Sequence, residues 1–286
     1  HLMVWPAVIL FFIFSYLPMA GIVMAFQNFK PGLGFLNSPW VGLDQFRFLF
    51  GYDNFLKVLR NTLVFSLSKY VLNILIPFGF AILLNEVRNR RYKRTVQTIV
   101  YLPYFLSWVT LAGILLDMLS TQGLVNTVMA RLGMERIMFL GDGFWFRLTV
   151  IFSDVWKSFG FNTILYLAAL TTVSPDLYES AEIDGANRFR QTLHITIPSL
   201  VPITVVVATL ALGGLLNANF DQVFNLYNPM VYEKADIIDT FVYRIGLLSG
   251  KYSLGAAVGL FKSFIGLILI TISYRLAYRF TNYRIF

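Results

Sequence analysis

Six stretches of this chain are so uniformly apolar that each could cross a lipid bilayer, and that constrains its fold more than any other feature. They run from about Val4 to Phe26, Thr62 to Leu84, Val96 to Leu119, Leu148 to Val173, Leu200 to Leu216 and Leu254 to Tyr278. About 20 helical residues rising 1.5 Å each cover a hydrocarbon core of about 30 Å. Charged residues make up 13% of the sequence, against roughly a quarter in soluble domains. Barrel strands would instead show short alternating segments. The expected class is therefore an all-α integral membrane protein, one transmembrane domain over residues 1–286. The first run is read as a span rather than a secretion leader, because no charged region precedes it and no cleavage site follows.

Basic residues set the expected orientation. Between the second and third spans, RNRRYKR (Arg88 to Arg94) holds five basic residues and no acid, and short loops of this kind stay in the cytoplasm. Alternation then places 174–199 and the tail with Arg275, Arg279 and Arg284 on the same inner side, so the C-terminus is expected to be cytoplasmic. The net charge of +8 follows from this placement at span ends; a nucleic-acid binder would carry a basic stripe. No cysteine is present and the only imidazoles are His1 and His194, so no metal site is expected. Pro6, Pro18, Pro77 and Pro103 are expected to kink spans. Gly255 and Gly259 have the GxxxG spacing that suits close helix approach.

One polar stretch, ESAEIDGANRFRQTLHITIP from Glu179 to Pro198, interrupts the apolar pattern. Ser174-Pro175-Asp176 is a helix start, with a serine cap, proline in the first position and an acid near the positive end of the dipole. Leu177 and Ala181 share a face, and the sequence Asp184-Gly185 breaks the run as a turn does. A second short helix would carry Phe189 and Leu193 on one side with Arg188 and Gln191 on the other, and Pro198 would close it. Two short amphipathic helices around a glycine would form a docking surface.

The motif E-A-A, three residues, G, nine residues, I-x-L-P resembles this stretch: Glu179, Ala181, Gly185, Ile195 and Pro198 stand at its positions, with Ser180 for alanine and Ile197 for leucine. It marks the permease subunits of binding-protein-dependent ATP-binding-cassette importers. YLPYFLSWV, VWKSFGFN and NPMVYEKADIIDTFVYRIGL look like sugar permeases of the maltose-transporter kind. SPWVGLDQFRFLF is similar to the branch importing polysaccharide-derived oligosaccharides, including alginate and pectin fragments. The resemblance implies the type I importer permease fold, six transmembrane helices with a coupling-helix loop between spans four and five. It further implies a bacterial inner membrane location, a second permease, two ATPase subunits and an extracytoplasmic binding protein. Glu179, Ser180, Ala181, Asp184, Gly185, Arg188, Ile195 and Pro198 would form the coupling loop.

No G-x-x-x-x-G-K-[ST] loop occurs in the sequence, so ATP and Mg are expected in partner subunits and no catalytic residue or cofactor in this chain. Polar groups in and beside spans mark a candidate pathway. Asp154 and Lys157 lie three apart on one helical face, either as pathway residues or as an ion pair. Trp156, Asn162 and Tyr166 offer an aromatic platform and hydrogen bonds, and Lys157 a counter-charge for an acidic oligosaccharide. Asn217, Asn219 and Asp221 crowd the end of span five, as ligand contacts or as an ordinary cap. An ion-coupled secondary transporter is the alternative, and would carry inverted repeats that are not evident. An intramembrane enzyme would have to rely on Asp117 and Asp154, in local sequences that match no such motif.

Overall fold

The computed structural model describes residues 3–281; His1 and Arg284 lie outside them. Helices dominate, and the described backbone forms two compact units, His1–Thr62 with Asp236–Ile265 and Leu63–Ala235 with Gly266–Phe286. Each builds its own core.

In the first unit, α1 (Trp5–Phe26) is wound as α-helix to Phe11, as π-helix over Phe12–Tyr16 and as 3-10 helix from Leu17. None of its most apolar stretch is buried, the state of a helix that lipid or another chain must cover. A short clasp follows: Asn28 N donates to Pro39 O and Val41 N to Phe26 O, while the Phe26 and Trp40 rings stack. Behind it, Leu49, Phe55, Val58, Ile238, Phe241, Leu254 and Val258 make a buried cluster. One glycine of the expected pair serves close approach. A Cβ on Gly255 would lie 3.2 Å from Gly246 Cα, whereas Gly259 faces open space.

Helix α2 (Asp53–Asn85) carries Pro77 without ending there, and begins earlier than the expected Thr62. The third expected span, 96–119, is broken. Helix α3 (Arg90–Tyr101) tightens into a 3-10 turn over Leu102–Phe105, the chain extends at Leu106 and Ser107, and α4 (Trp108–Leu119) starts anew. Pro103 has no N–H to continue the ladder, and Ser107 Oγ caps the new helix by accepting from Thr110 N at 3.1 Å. Helix α5 (Leu124–Arg131) follows; its fully buried Asn126 holds both Ser120 O and Ile137 O at 2.9 Å.

Among the described residues, five helical stretches are long and apolar enough to cross a membrane. The fourth expected span, 148–173, falls on α6 (Gly143–Leu170), whose 28 residues rise about 42 Å. It is long enough, but Arg147, Asp154 and Lys157 lower its apolarity. Asp142 caps it by accepting from Phe144 N and Trp145 N, and these bonds hold the Asp142 carboxyl below the ordinary range. Gly160 of α6 meets Val100 of α3 so closely that a Cβ there would lie 2.3 Å from Val100 O. Small residues at helix crossings allow such approach where lipid removes the usual hydrophobic drive.

Helix α7 (Pro175–Ile183) and α8 (Arg188–Leu212) form the polar stretch and the fifth span. The separate second helix closed by Pro198 is not present. Instead α8 runs unbroken, π-wound over Thr192–Thr196, and that local widening accommodates Pro198 inside the helix. The helix that carries the fifth expected span thus starts at Arg188, ahead of the expected Leu200, and ends at Leu212, short of the expected Leu216. Helix α9 (Phe220–Leu226) follows the turn after α8, and α10 (Tyr252–Thr281) is the last long helix among the described residues.

Candidate functional site

Four elements of the second unit enclose a polar cavity of about 360 Å³. Helix α2 offers Ser66, Lys69, Tyr70 and Asn73, which share a face through their three- and four-residue spacings. Asp154, Ser158 and Asn162 line up four apart along α6, and Tyr104 enters from the break after α3. Asn217 and Asn219 come from the turn after α8.

A buried network fixes these groups. Asp154 accepts from Asn73 Nδ2 and Asn219 Nδ2, each at 3.2 Å, and its carboxylate lies 3.6 Å from Lys69 Nζ. The Lys69 ammonium donates to Ala218 O at 2.9 Å and to Gln222 Oε1. Gln222, fully buried, passes its own protons to Val150 O and Ser153 Oγ. Such a pair is held by its surroundings, since removing one partner from a buried ion pair costs about 3–5 kcal/mol. Asn219 takes a left-handed backbone, φ 70°, which asparagine tolerates better than other non-glycine residues. Its side chain serves two ends, capping α9 through Gln222 N at 3.3 Å and binding Asp154.

The structure sorts the expected pathway residues. Asp154, Asn162, Asn217 and Asn219 line the cavity; Trp156, Lys157, Tyr166 and Asp221 do not. Trp156 sits in a separate apolar groove with Trp145 and Phe152. Tyr166 is fully buried against Ala81, Leu170 and Leu200 and meets Phe78 edge-on, so it packs the core. Asp221 is exposed, and its carbonyl accepts from Asn225 Nδ2. Asp154 pairs with Lys69, not Lys157. Lys157 instead donates to Tyr104 O at 2.7 Å, over the rings of Tyr104 and Trp108. There it satisfies a carbonyl at the break in the third span, a need created wherever helical bonding lapses at membrane depth.

The loop residues converge on a second feature. Ser174 Oγ accepts from Asp176 N to start α7, and Ala186 N reaches back to Ala181 O at 2.8 Å to close it. That closure requires Gly185 at φ 78°, the left-handed position that glycine fills without strain. Asn187 Oδ1 then caps α8 through Arg190 N at 2.9 Å. Two cross-braces stiffen the elbow: Tyr178 OH with Thr196 Oγ1 at 3.0 Å, and Gln191 Nε2 to Ala186 O at 3.2 Å. Glu179, Ser180, Asp184, Gly185, Arg188 and Pro198 are exposed, with Ala181 and Ile195 half-buried. Beside them the apolar Ile183 and Phe189 stand 87% and 74% exposed.

Comparison with known proteins agrees with this architecture. The model of the family described as the binding-protein-dependent transport system inner membrane component matches residues 74–282. The polygalacturonan/rhamnogalacturonan transport system permease protein YteP of Bacillus subtilis strain 168 is 43% identical, over 98% of this chain and 88% of its own length. Protein LplB of the same organism is 42% identical, over 94% and 85%. Among solved structures, a chain of a bacterial ABC transporter involved in the import of the acidic polysaccharide alginate superposes with TM-score 0.91. It is 38% identical and covers 98% of this chain and 94% of its own. A chain of a bacterial alginate ABC transporter in complex with an alginate pentasaccharide-bound periplasmic protein gives TM-score 0.90 at 38% identity, over 98% and 93%. The chain belongs to the family of inner membrane components of binding-protein-dependent transport systems.

Proposed function

We propose that this chain is a channel-forming permease subunit of an ATP-driven importer that moves oligosaccharides, polysaccharide-derived and acidic ones such as alginate or pectin fragments, into the cytoplasm. The observation that carries this reading is the amide-lined cavity bounded by α2, α6 and the turn after α8. Amides and hydroxyls that both donate and accept match a ligand covered in hydroxyl groups. The names of the relatives support the substrate class.

The chain does no chemistry of its own in this reading. ATP and Mg bind to two separate ATPase subunits, a second permease supplies the opposite wall of the passage, and an extracytoplasmic binding protein delivers the ligand. The elbow from Glu179 to Pro198 seats in the ATPase subunits from the cytoplasmic side, with the C-terminus on that side as well. ATP closure draws the elbows together and opens the passage outward; hydrolysis reverses this. Ligand drives such a cycle only by favouring one state over the other.

Asn162→Ala removes an amide from the cavity wall, while the Lys69–Asp154–Gln222 contacts stay in place. It is expected to raise the KM for oligosaccharide uptake by about 10-fold, the scale of one lost polar contact, with the complex assembled normally. An unchanged KM in proteoliposomes would remove the cavity from the passage.

A further inference from the structure

One of the solved structures named above belongs to a transporter involved in the import of the acidic polysaccharide alginate; for a ligand of that kind an unpaired cation in the cavity would be the simplest device for binding a carboxylate. Among the described residues, Lys69 is the only cation lining it. An ammonium has three protons to donate. Two go to Ala218 O and Gln222 Oε1, and the third side faces Asp154 at 3.6 Å. Lys69 is itself only 6% exposed. An entering carboxylate would have to displace Asp154 and would meet that like charge at close range, which opposes binding.

What the network does achieve is placement. Ala218 lies between Asn217 and Asn219, so the bond from Lys69 to its carbonyl fixes the turn that presents both amides. Asp154 holds Asn219 from the other side, and Asn73 in turn. Beside the apolar Ile74, Val207, Ala211 and Leu215, the wall offers Asn73, Asn162, Asn217 and Ser158, which are uncharged and bifunctional.

We propose that this cavity reads the hydroxyl edge of a sugar ring and leaves carboxylate recognition to the other subunits, with Lys69 a positioning residue for Asn217 and Asn219. This deepens the proposed passage and rests on it. It also separates two roles that acidic-sugar transport would otherwise merge: the internal charge pair shapes the site, and the ligand's charge is read elsewhere.

The test uses proteoliposomes holding the complete importer with its binding protein. Two substrates of equal length are compared, a uronate oligosaccharide and the same oligomer with its carboxyls reduced to alcohols. Lys69→Met leaves Asp154 buried without its counter-charge, and is expected to lower uptake at least about 10-fold for every oligomer the wild type carries. Lys69→Met combined with Asp154→Asn removes the uncompensated charge but leaves Ala218 O without its donor, and is expected to recover uptake only in part, to the same extent for the two oligomers. Where Lys69→Met fails to assemble, recovery of assembly in the double variant reads the same rescue.

A counter-charge role predicts the opposite pattern, with uronate uptake lost in both variants and the reduced oligomer unaffected. That result overturns the proposal, as does wild-type uptake by Lys69→Met or failure of the double variant to recover. Asn162→Ala reports on the passage independently. An effect there without rescue here would keep the passage and discard the role given to Lys69.

Discussion

Gly185→Val is expected to abolish energised uptake, lowering it by about 100-fold or more, while the chain still inserts and is recovered from the membrane. The left-handed backbone at this position, φ 78°, costs an ordinary L-residue roughly 1–2 kcal/mol, and a β-branched one is a pronounced outlier there. No atom lies within 4 Å of where the Cβ would sit. The substitution therefore clashes with nothing inside the chain, and the strain is relieved by rotation of the elbow itself. That rotation moves Ile183 relative to Phe189, the two exposed apolar groups that the proposed docking brings against the ATPase subunit together. Gly185→Asn, which tolerates the left-handed region, is expected to retain most uptake. Normal uptake by the valine variant, measured against chain abundance in the membrane, would contradict the docking role.

Gly160→Ala should act on the fold instead. The added Cβ would sit 2.3 Å from Val100 O and 2.7 Å from Val100 Cγ1, far inside van der Waals contact. Overpacking of this kind costs about 1–3 kcal/mol and occasionally more; the obstacle here is backbone, so the expected loss lies at the upper end. The neighbouring segment has little freedom to yield, because Lys157 ties Tyr104 O just beyond Val100. Gly259→Ala is the matched control. Nothing lies within 4 Å of its Cβ, and alanine favours a helix over glycine by about 1 kcal/mol. Thermal unfolding of the purified protein in detergent should show a lowered Tm for Gly160→Ala and an unchanged or raised one for Gly259→Ala. Equal behaviour of the two would mean that the α3–α6 crossing is looser than described.

These two glycines illustrate what the sequence revealed and what it concealed. Gly185 was legible because Asp184-Gly185 follows a capped helix start, a purely local signal. Gly160 was not, since its reason for being glycine is the backbone of another helix. The cavity shows the same division. Asp154 stood out as a charge within an apolar run, but local spacing offered Lys157 as its mate. The observed partner, Lys69, comes from a different helix, and the face on α2 that carries it reads in sequence as part of an ordinary span. Lys157 answers a need that exists only because the third span breaks at Leu106 and Ser107. Pro103 signalled a kink there, though not its depth. Continuity of α8 through Pro198 depends on the π-wound turn at Thr192–Thr196, which no residue pattern announces. Asn219, the one described non-glycine residue with positive φ, read in sequence either as a ligand contact or as an ordinary cap, and its bond to Asp154 emerges only from the folded chain.

The central claim is that the elbow between α7 and α8 transmits force from a separate motor. With no native cysteine in the sequence, a single Ile183→Cys variant places one reactive thiol on the most exposed apolar side chain of that elbow. A short bifunctional thiol- and photo-reactive reagent applied in intact cells should capture an ATP-binding subunit, with the yield changing when ATP is trapped on the complex. Capture of phospholipid alone, in every nucleotide state, would contradict the account.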